Sequence, residues 1–201
     1  MEKTIKLIRI FFIFTILTAF QNQPREVDKI IYFLNSLDTL SSEFVQINSV
    51  GEVTHGKILI NKPSKFRIEY KDPNDILIIC DGFKVAIINN KLKSFSTYSI
   101  ADTPLNFFLK EKITSESFEI IDFQKKENLF IVEIMSKIDK DSGKIKFIFE
   151  ENPFQLKKWI LYNPNGDKIG VTLDNLRINP KINDQLFEIK DPNNKIFLEN
   201  F

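Results

Sequence analysis

Few side chains in this sequence have the types and spacing that catalysis or metal binding requires. The 201 residues contain one histidine, His55, and one cysteine, Cys80. Single copies cannot form an intramolecular disulfide or a Cys/His zinc site, and no base is signalled near Cys80 to activate its thiol. We therefore expect His55 to be a surface turn residue and Cys80 to be a small buried residue.

Sequence motifs for other kinds of catalysis are also missing. The chain has no Gly-rich phosphate-binding loop and no nucleophile elbow. Its 27 acidic residues could always place two carboxylates together, but abundance alone does not indicate a catalytic pair. The sequence therefore predicts a protein that is not an enzyme and that needs no cofactor or metal.

Composition indicates one packed domain. Hydrophobic residues make up 43% and charged residues 27% of the chain, and the formal net charge is +1, so nucleic acid is not an expected partner. Phenylalanine is abundant, with 20 residues. Two explanations remain open for that count: an A/T-rich genome that favours Phe, Ile, Lys and Asn codons, or an interior that is more apolar than packing alone requires.

The N-terminus reads as a secretory signal peptide. Lys3, Lys6 and Arg9 precede an apolar run at 10–17, which is too short to span a bilayer as a helix. Residues 1–20 are therefore predicted to be removed near Ala19 and Phe20, although retention as an uncleaved anchor is the alternative. The predicted mature domain is 21–201.

The elements that follow are one helix and a succession of strands. Apolar residues recur every three or four positions from Pro24 to Leu40, which predicts an amphipathic helix. From Phe44 onward the period changes to two, with turn residues between short runs, which predicts about ten antiparallel strands. The run 103–109 interrupts them and predicts a short helix, with Pro104 at its first position. The chain should therefore form a single sheet curled into a barrel or half-barrel.

One face of several predicted strands is wholly apolar. Phe130 and Val132 share one side of a predicted strand, and Phe147 and Phe149 share one side of the next strand, while Glu133 and Lys146 mark the outside. A curved sheet of this width has more concave apolar surface than two helices can cover. Either the interior packs on itself or it holds an apolar ligand, and the periodicity alone is consistent with both.

Several short motifs, in order along nearly the whole mature chain, resemble the LolA-type outer-membrane lipoprotein carriers. Each motif is weak alone, and their order makes the resemblance specific. They are Phe44-x-Gln46, Gly56-Lys57-Ile58-x-Ile60, Lys62-Pro63-x-x-Phe66-Arg67-x-Glu69-Tyr70, Asp81-Gly82, Thr103-Pro104-Leu105, Trp159, Leu186-Phe187 and Pro192.

The resemblance implies a fold and a function. The fold is mainly β: one curved antiparallel sheet forming an incomplete, unclosed β-barrel of about eleven strands, with an N-terminal amphipathic helix and short lid helices. The implied function is that of a periplasmic chaperone, expected to be monomeric, whose hydrophobic cavity shields lipoprotein acyl chains. Its implied partners are an inner-membrane ATP-driven releasing complex and an outer-membrane receptor. That receptor shares the fold but is normally anchored through a Cys after its signal peptide, whereas Cys80 lies in mid-domain.

The strand pattern and the resemblance together predict site residues. The predicted cargo-binding residues are Phe66, Ile68, Phe130, Val132, Phe147 and Phe149. The predicted lid places Leu105, Phe108 and Leu109 over the barrel mouth, and the alternative is a core plug that never moves. Many relatives tie the lid with an Arg before the proline, where this chain has Lys62, a point charge rather than a planar fork. The alternative function is a half-barrel that binds a protein or peptide without lipid.

Overall fold

The computed structural model describes residues 23–71, 73–100, 108–137 and 143–191. The predicted signal peptide therefore lies outside the described residues. The described chain begins with one α-helix, α1 (Gln23–Asn35), and ends with a 3-10 helix (Asp184–Phe187). Between them lie eleven strands: β1 (Thr39–Ile47), β2 (Val53–Asn61), β3 (Lys65–Tyr70), β4 (Ile76–Asp81), β5 (Lys84–Asn89), β6 (Ser94–Ser99), β7 (Phe118–Lys126), β8 (Leu129–Ser136), β9 (Lys144–Glu150), β10 (Gln155–Tyr162) and β11 (Lys168–Ile178).

All eleven strands form one antiparallel sheet, in the order β6-β5-β4-β3-β2-β1-β11-β10-β9-β8-β7. The first and last strands pair with each other in its middle, and β6 and β7 are its two edges. The sheet is not closed, so the predicted mainly β fold, an open half-barrel with one N-terminal helix, is confirmed. The predicted short helix at 103–109 lies mostly outside the described residues, and Phe108 and Leu109 form a turn.

Helix α1 is shorter than the apolar spacing predicts. It ends at Asn35, and Leu40 is already the second residue of β1. The side chain of Asn179 holds the chain in the new direction, because its Oδ1 accepts from the Asp38 amide at 2.9 Å and its Nδ2 donates to Ser36 O at 2.9 Å. The apolar residues keep their spacing of three and four positions past the end of the helix. The reason is that Leu37, in the segment between α1 and β1, and Leu40, in β1, pack into the same core as the helix.

The helix covers one half of the concave face. Phe33 packs edge-on against Phe149 at 5.4 Å between ring centroids and against Phe154 at 5.7 Å. Phe149 and Phe154 are themselves stacked at 5.2 Å. This aromatic cluster joins α1 to the β9–β10 hairpin, so the β7–β10 half of the sheet carries a packed core. No helix within the described ranges is long and apolar enough to cross a membrane.

In the other half of the concave face, the ring of Phe44 packs closely against the backbone of Gly56. A Cβ added there would lie 2.5 Å from Phe44 Cζ and would also overlap Glu69 O. Phe44 is the residue directly opposite Gly56 on β1, so its ring lies over the glycine. The absence of a side chain at Gly56 therefore sets the position of an aromatic ring that lines the concave face.

Replacing Gly56 by alanine is expected to destabilise the protein by about 1–3 kcal/mol, because the ring of Phe44 or the backbone of β3 must move. The measurement is the urea midpoint of unfolding. Gly170→Ala is the matched control, because an added Cβ there meets Lys158 Cε at an ordinary 3.5 Å. Equal midpoints for the two variants would contradict the packing argument.

Candidate functional site

A cavity of about 320 Å³ occupies the half of the concave face that α1 leaves uncovered. Its walls come from β1–β6 on one side and from β10 and β11 on the other. Alternate residues of β3 point inward, so Phe66, Ile68 and Tyr70 all line the cavity. The lining residues are Phe44, Gln46, Ile58, Phe66, Ile68, Tyr70, Ile78, Val85, Ile87, Tyr98, Ser99, Trp159, Leu161, Ile169 and Val171.

The chemistry of this lining is almost entirely apolar. The lining contains no Asp, Glu, His, Lys or Arg, and its polar groups are Gln46, Ser99, the hydroxyls of Tyr70 and Tyr98 and the indole N–H of Trp159. Such a surface suits the burial of hydrocarbon. Within the described residues, no three His, Cys, Asp or Glu side chains are grouped to hold a metal ion.

One polar pair interrupts the apolar wall. The Tyr70 hydroxyl donates to Gln46 Oε1 at 3.0 Å, and the Tyr70 ring packs edge-on against Phe44 at 5.5 Å. Burial raises the pKa of Tyr70, although the hydrogen bond to Gln46 works in the opposite direction. The phenol therefore remains protonated at neutral pH and acts as the donor in this pair.

The structure divides the predicted cargo-binding residues between the two halves of the sheet. Phe66 and Ile68 line the cavity. The other four lie beneath α1 in the packed half, each at most 2% exposed: Phe130, Val132, Phe147 and Phe149. All six face the concave side, as the alternation predicts, and their contact with cargo stays a prediction.

The predicted lid is described only in part, because Leu105 lies outside the described residues. Phe108 and Leu109 are 2% and 1% exposed. The Phe108 ring lies 5.9 Å from Phe147 and 6.1 Å from Trp159, at the boundary between the packed half and the cavity. Leu109 O accepts a hydrogen bond from the Ser64 amide at 3.0 Å. Whether this segment moves stays a prediction.

Lys62, the predicted lid tether, contacts both the helix and the Phe108 turn. Its Nζ donates to Leu34 O in the last turn of α1 at 2.7 Å and lies 5.3 Å from the centre of the Phe108 ring. Burial lowers the pKa of the Lys62 ammonium to about 8, against an opposing attraction from Asp38. The tethering role itself stays a prediction.

The titration of Lys62 makes a pH dependence testable. When Lys62 leaves this site and becomes solvated, its pKa returns toward 10.5. Between pH 8 and 10.5 the state with Lys62 in solvent therefore binds more protons than the state with Lys62 in contact with Leu34 and Phe108. The contact of Lys62 with these residues consequently gains stability as pH rises. We expect the protection factor of the Ser64 amide, corrected for intrinsic exchange, to increase about tenfold from pH 7 to pH 9. Lys62→Arg should show no such increase, because Arg does not titrate in this range. A fall in protection would contradict this interpretation.

A second pair of hydrogen bonds joins the end of α1 to the segment that follows the Phe108 turn, and the sequence did not predict it. Asn35 Nδ2 donates to Ile113 O at 2.9 Å, and Asn35 Oδ1 accepts from the Ile113 amide at 2.8 Å. The two residues are 78 positions apart, and only the identity of Asn35, a capping residue type at a helix end, could have drawn attention to it.

His55, expected in a turn, lies exposed in β2. Cys80 is fully buried, and burial raises the pKa of its thiol.

Comparison with known proteins agrees with this architecture. The family model described as "Outer membrane lipoprotein carrier protein LolA" matches residues 35–190. An outer-membrane lipoprotein carrier protein of Legionella pneumophila (strain Corby) is 28% identical over 79% of this chain and 82% of its own length. An uncharacterized protein of Rickettsia prowazekii is 25% identical over 96% of this chain and 89% of its own length.

A solved structure shares the fold. An uncharacterized conserved protein of Thermus thermophilus matches with a TM-score of 0.51, covering 85% of this chain and 96% of that one at 7% identity. The family model spans all eleven strands and the 3-10 helix described above. The chain therefore belongs to the LolA family of outer membrane lipoprotein carrier proteins.

Proposed function

We propose that this protein is a periplasmic carrier that shields the acyl chains of lipoproteins between the inner and outer membranes. Export would follow from residues 1–20 acting as a signal peptide, which leaves 21–201 as the carrier domain. Its partners would be an inner-membrane ATP-driven releasing complex and an outer-membrane receptor, as in the carriers that it resembles. The proposal describes a binding protein rather than an enzyme.

The observation that carries this proposal is the uncharged apolar cavity. Each methylene transferred from water to such a surface contributes about 0.8 kcal/mol, so even one acyl chain supplies a large binding free energy. A packed core would leave no room for it, and the other half of the same sheet, beneath α1, is an example of such a core. The cavity half has the same kind of side chains without a covering helix among the described residues, which suits a ligand of hydrocarbon.

The placement of Lys62 and Phe108 supports reversible binding. A carrier must release its cargo, so the groups beside the cavity should be held by a few separable contacts rather than by a continuous core. The contacts from Lys62 to Leu34, Ser64 to Leu109 and Asn35 to Ile113 are of this kind. They join the helix end, the β2–β3 turn and the Phe108 turn around one boundary of the cavity.

The test is native mass spectrometry of the protein purified from periplasm, followed by uptake of a fluorescent acyl probe. Co-purification of di- or triacylated polypeptide, released when detergent is added, is the expected result. A protein that carries no lipid and takes up no probe would overturn the proposal. A non-acylated polypeptide bound in its place would favour the alternative, a half-barrel that binds protein or peptide.

A further inference from the structure

The cavity wall contains one hydrogen-bonded polar pair, Gln46 and Tyr70, which the binding of hydrocarbon alone does not explain. Gln46 and Tyr70 are half-buried among apolar side chains, where a polar group without a partner is costly. Tyr70 satisfies its own hydroxyl and Gln46 Oε1 with one hydrogen bond of 3.0 Å. That bond orients the amide, so Gln46 Nε2 and its two N–H donors are turned away from Tyr70.

These donors have no acceptor within the part of the chain that the structure describes. Across residues 23–71, 73–100, 108–137 and 143–191, no hydrogen bond engages Gln46 Nε2. The residue directly opposite Gln46 on β2 is Thr54, and its buried Oγ1 likewise has no partner within those ranges. The Gln46 donors are therefore available to a ligand, and the buried Thr54 hydroxyl on the neighbouring strand lacks the partner that such a group ordinarily has.

The position of the pair suits the head of a ligand rather than its tail. Tyr70 is the last residue of β3 and Gln46 the last but one of β1, so both lie next to the turns that end those strands. Phe66, four residues back along β3, lies about 13 Å deeper at the rise of an extended strand. An acyl chain running along β3 would place its hydrocarbon against Ile68 and Phe66 and its carbonyl beside Gln46.

The charge of the cavity narrows the ligand further. None of the fifteen lining side chains carries a positive charge, so an ionised carboxylate there would have no counter-ion. An ester or amide carbonyl is uncharged and accepts hydrogen bonds from an N–H donor. The donors of Gln46 therefore match an esterified or amide-linked acyl chain and do not compensate the charge of a free fatty acid.

We propose that Gln46, oriented by Tyr70, recognises the acyl carbonyl and makes the cavity selective for ester- or amide-linked acyl chains over free fatty acids. This inference rests on the proposed function, because it assumes that the cavity takes up acyl chains. It adds a specificity-determining residue and a class of ligand to that function.

The experiment compares three probes with the same pyrene-labelled chain: the methyl ester, the corresponding methyl ether and the free acid. The wild-type protein should bind the ester about three- to tenfold more tightly than the ether, which lacks the carbonyl, the range that one hydrogen bond supplies. At pH 8 it should bind the ionised acid more weakly than the ester.

Two variants assign this preference to residues. Gln46→Met retains the volume and removes the donors, so the ratio of ester to ether affinity should fall from three- to tenfold to about one. Tyr70→Phe keeps the ring against Phe44 and frees the amide to rotate, so it should reduce the ester preference by a smaller factor. A urea midpoint of unfolding close to that of the wild type shows that each variant is folded.

The outcomes separate this inference from the function on which it rests. A wild-type protein that binds no probe would overturn the proposed function. Tight binding of ester and ether alike, or an ester preference that survives Gln46→Met, would overturn the role of Gln46 and leave the carrier function intact. Binding of the free acid equal to that of the ester would contradict the selectivity.

Discussion

Replacing Ile68 by glutamate is expected to lower affinity for an acyl probe at least about 100-fold, which corresponds to roughly 2.7 kcal/mol. Ile68 lies in the cavity wall between Ile58 and Ile78 of the neighbouring strands. A carboxylate at this position would have to lose its hydration when the acyl chain enters, with no positive lining residue to compensate. The measurement is probe titration at pH 7.5, and affinity should recover partly as pH falls and the carboxyl is protonated.

The matched control is Thr172→Glu, which adds the same charge to the opposite face of the sheet. Thr172 is exposed, and its neighbour Val171 lines the cavity. Lys146, which is also on the outer face, is less suitable for this control. Its Nζ contacts Glu133 Oε2 at 2.8 Å, so Lys146→Glu would place two carboxylates together. If both glutamate variants lose affinity equally while remaining folded, the cavity is not the binding site.

Replacing Phe149 by alanine is expected to cost about 3–5 kcal/mol of folding free energy, because a fully buried aromatic ring would leave a void. Phe149 is 0% exposed and contacts Phe33, Phe147 and Phe154. The change should lower the urea midpoint strongly, whereas Phe83→Ala, at a side chain 82% exposed, should leave it nearly unchanged.

The same variant tests whether Phe149 also contacts cargo, as the strand pattern predicts. From its place beneath α1 we expect the folded fraction of Phe149→Ala to bind an acyl probe within about threefold of wild type, since about 0.65 kcal/mol corresponds to that factor. Phe149→Leu, a milder change, gives the same comparison if the alanine variant does not fold. A large loss of affinity with stability retained would instead place Phe149 in the binding site.

The strands could be predicted because their signals are local. Period-two alternation from Phe44 onward predicts about ten strands, and the structure has eleven between Thr39 and Ile178. Period-two alternation and turn residues such as Asp81 and Gly82 act within a few positions, so a single sequence contains them. The family could be predicted as well, because its motifs occur in order along the chain.

The division of the concave face could not be predicted in the same way. Alternation states which side chains share a face, and it does not state which part of that face a helix covers. Phe66 and Phe149 have the same pattern in sequence, yet one lines the cavity and the other packs against Phe33. The contacts of Lys62 with Leu34 and of Asn35 with Ile113 join residues 28 and 78 positions apart, beyond the reach of any local pattern.

The pairing of β1 with β11 has a consequence for how the chain folds. Ser42 Oγ donates to Asp174 O across this seam, a bond that spans 132 positions. Every other neighbouring pair of strands is consecutive in the chain and can form as a hairpin. The centre of the sheet therefore has the greatest loop-closure entropy to overcome, and contacts of high sequence separation slow folding. A circular permutant opened between β6 and β7, with its original ends linked, would make β1–β11 a local connection and turn the whole sheet into one meander.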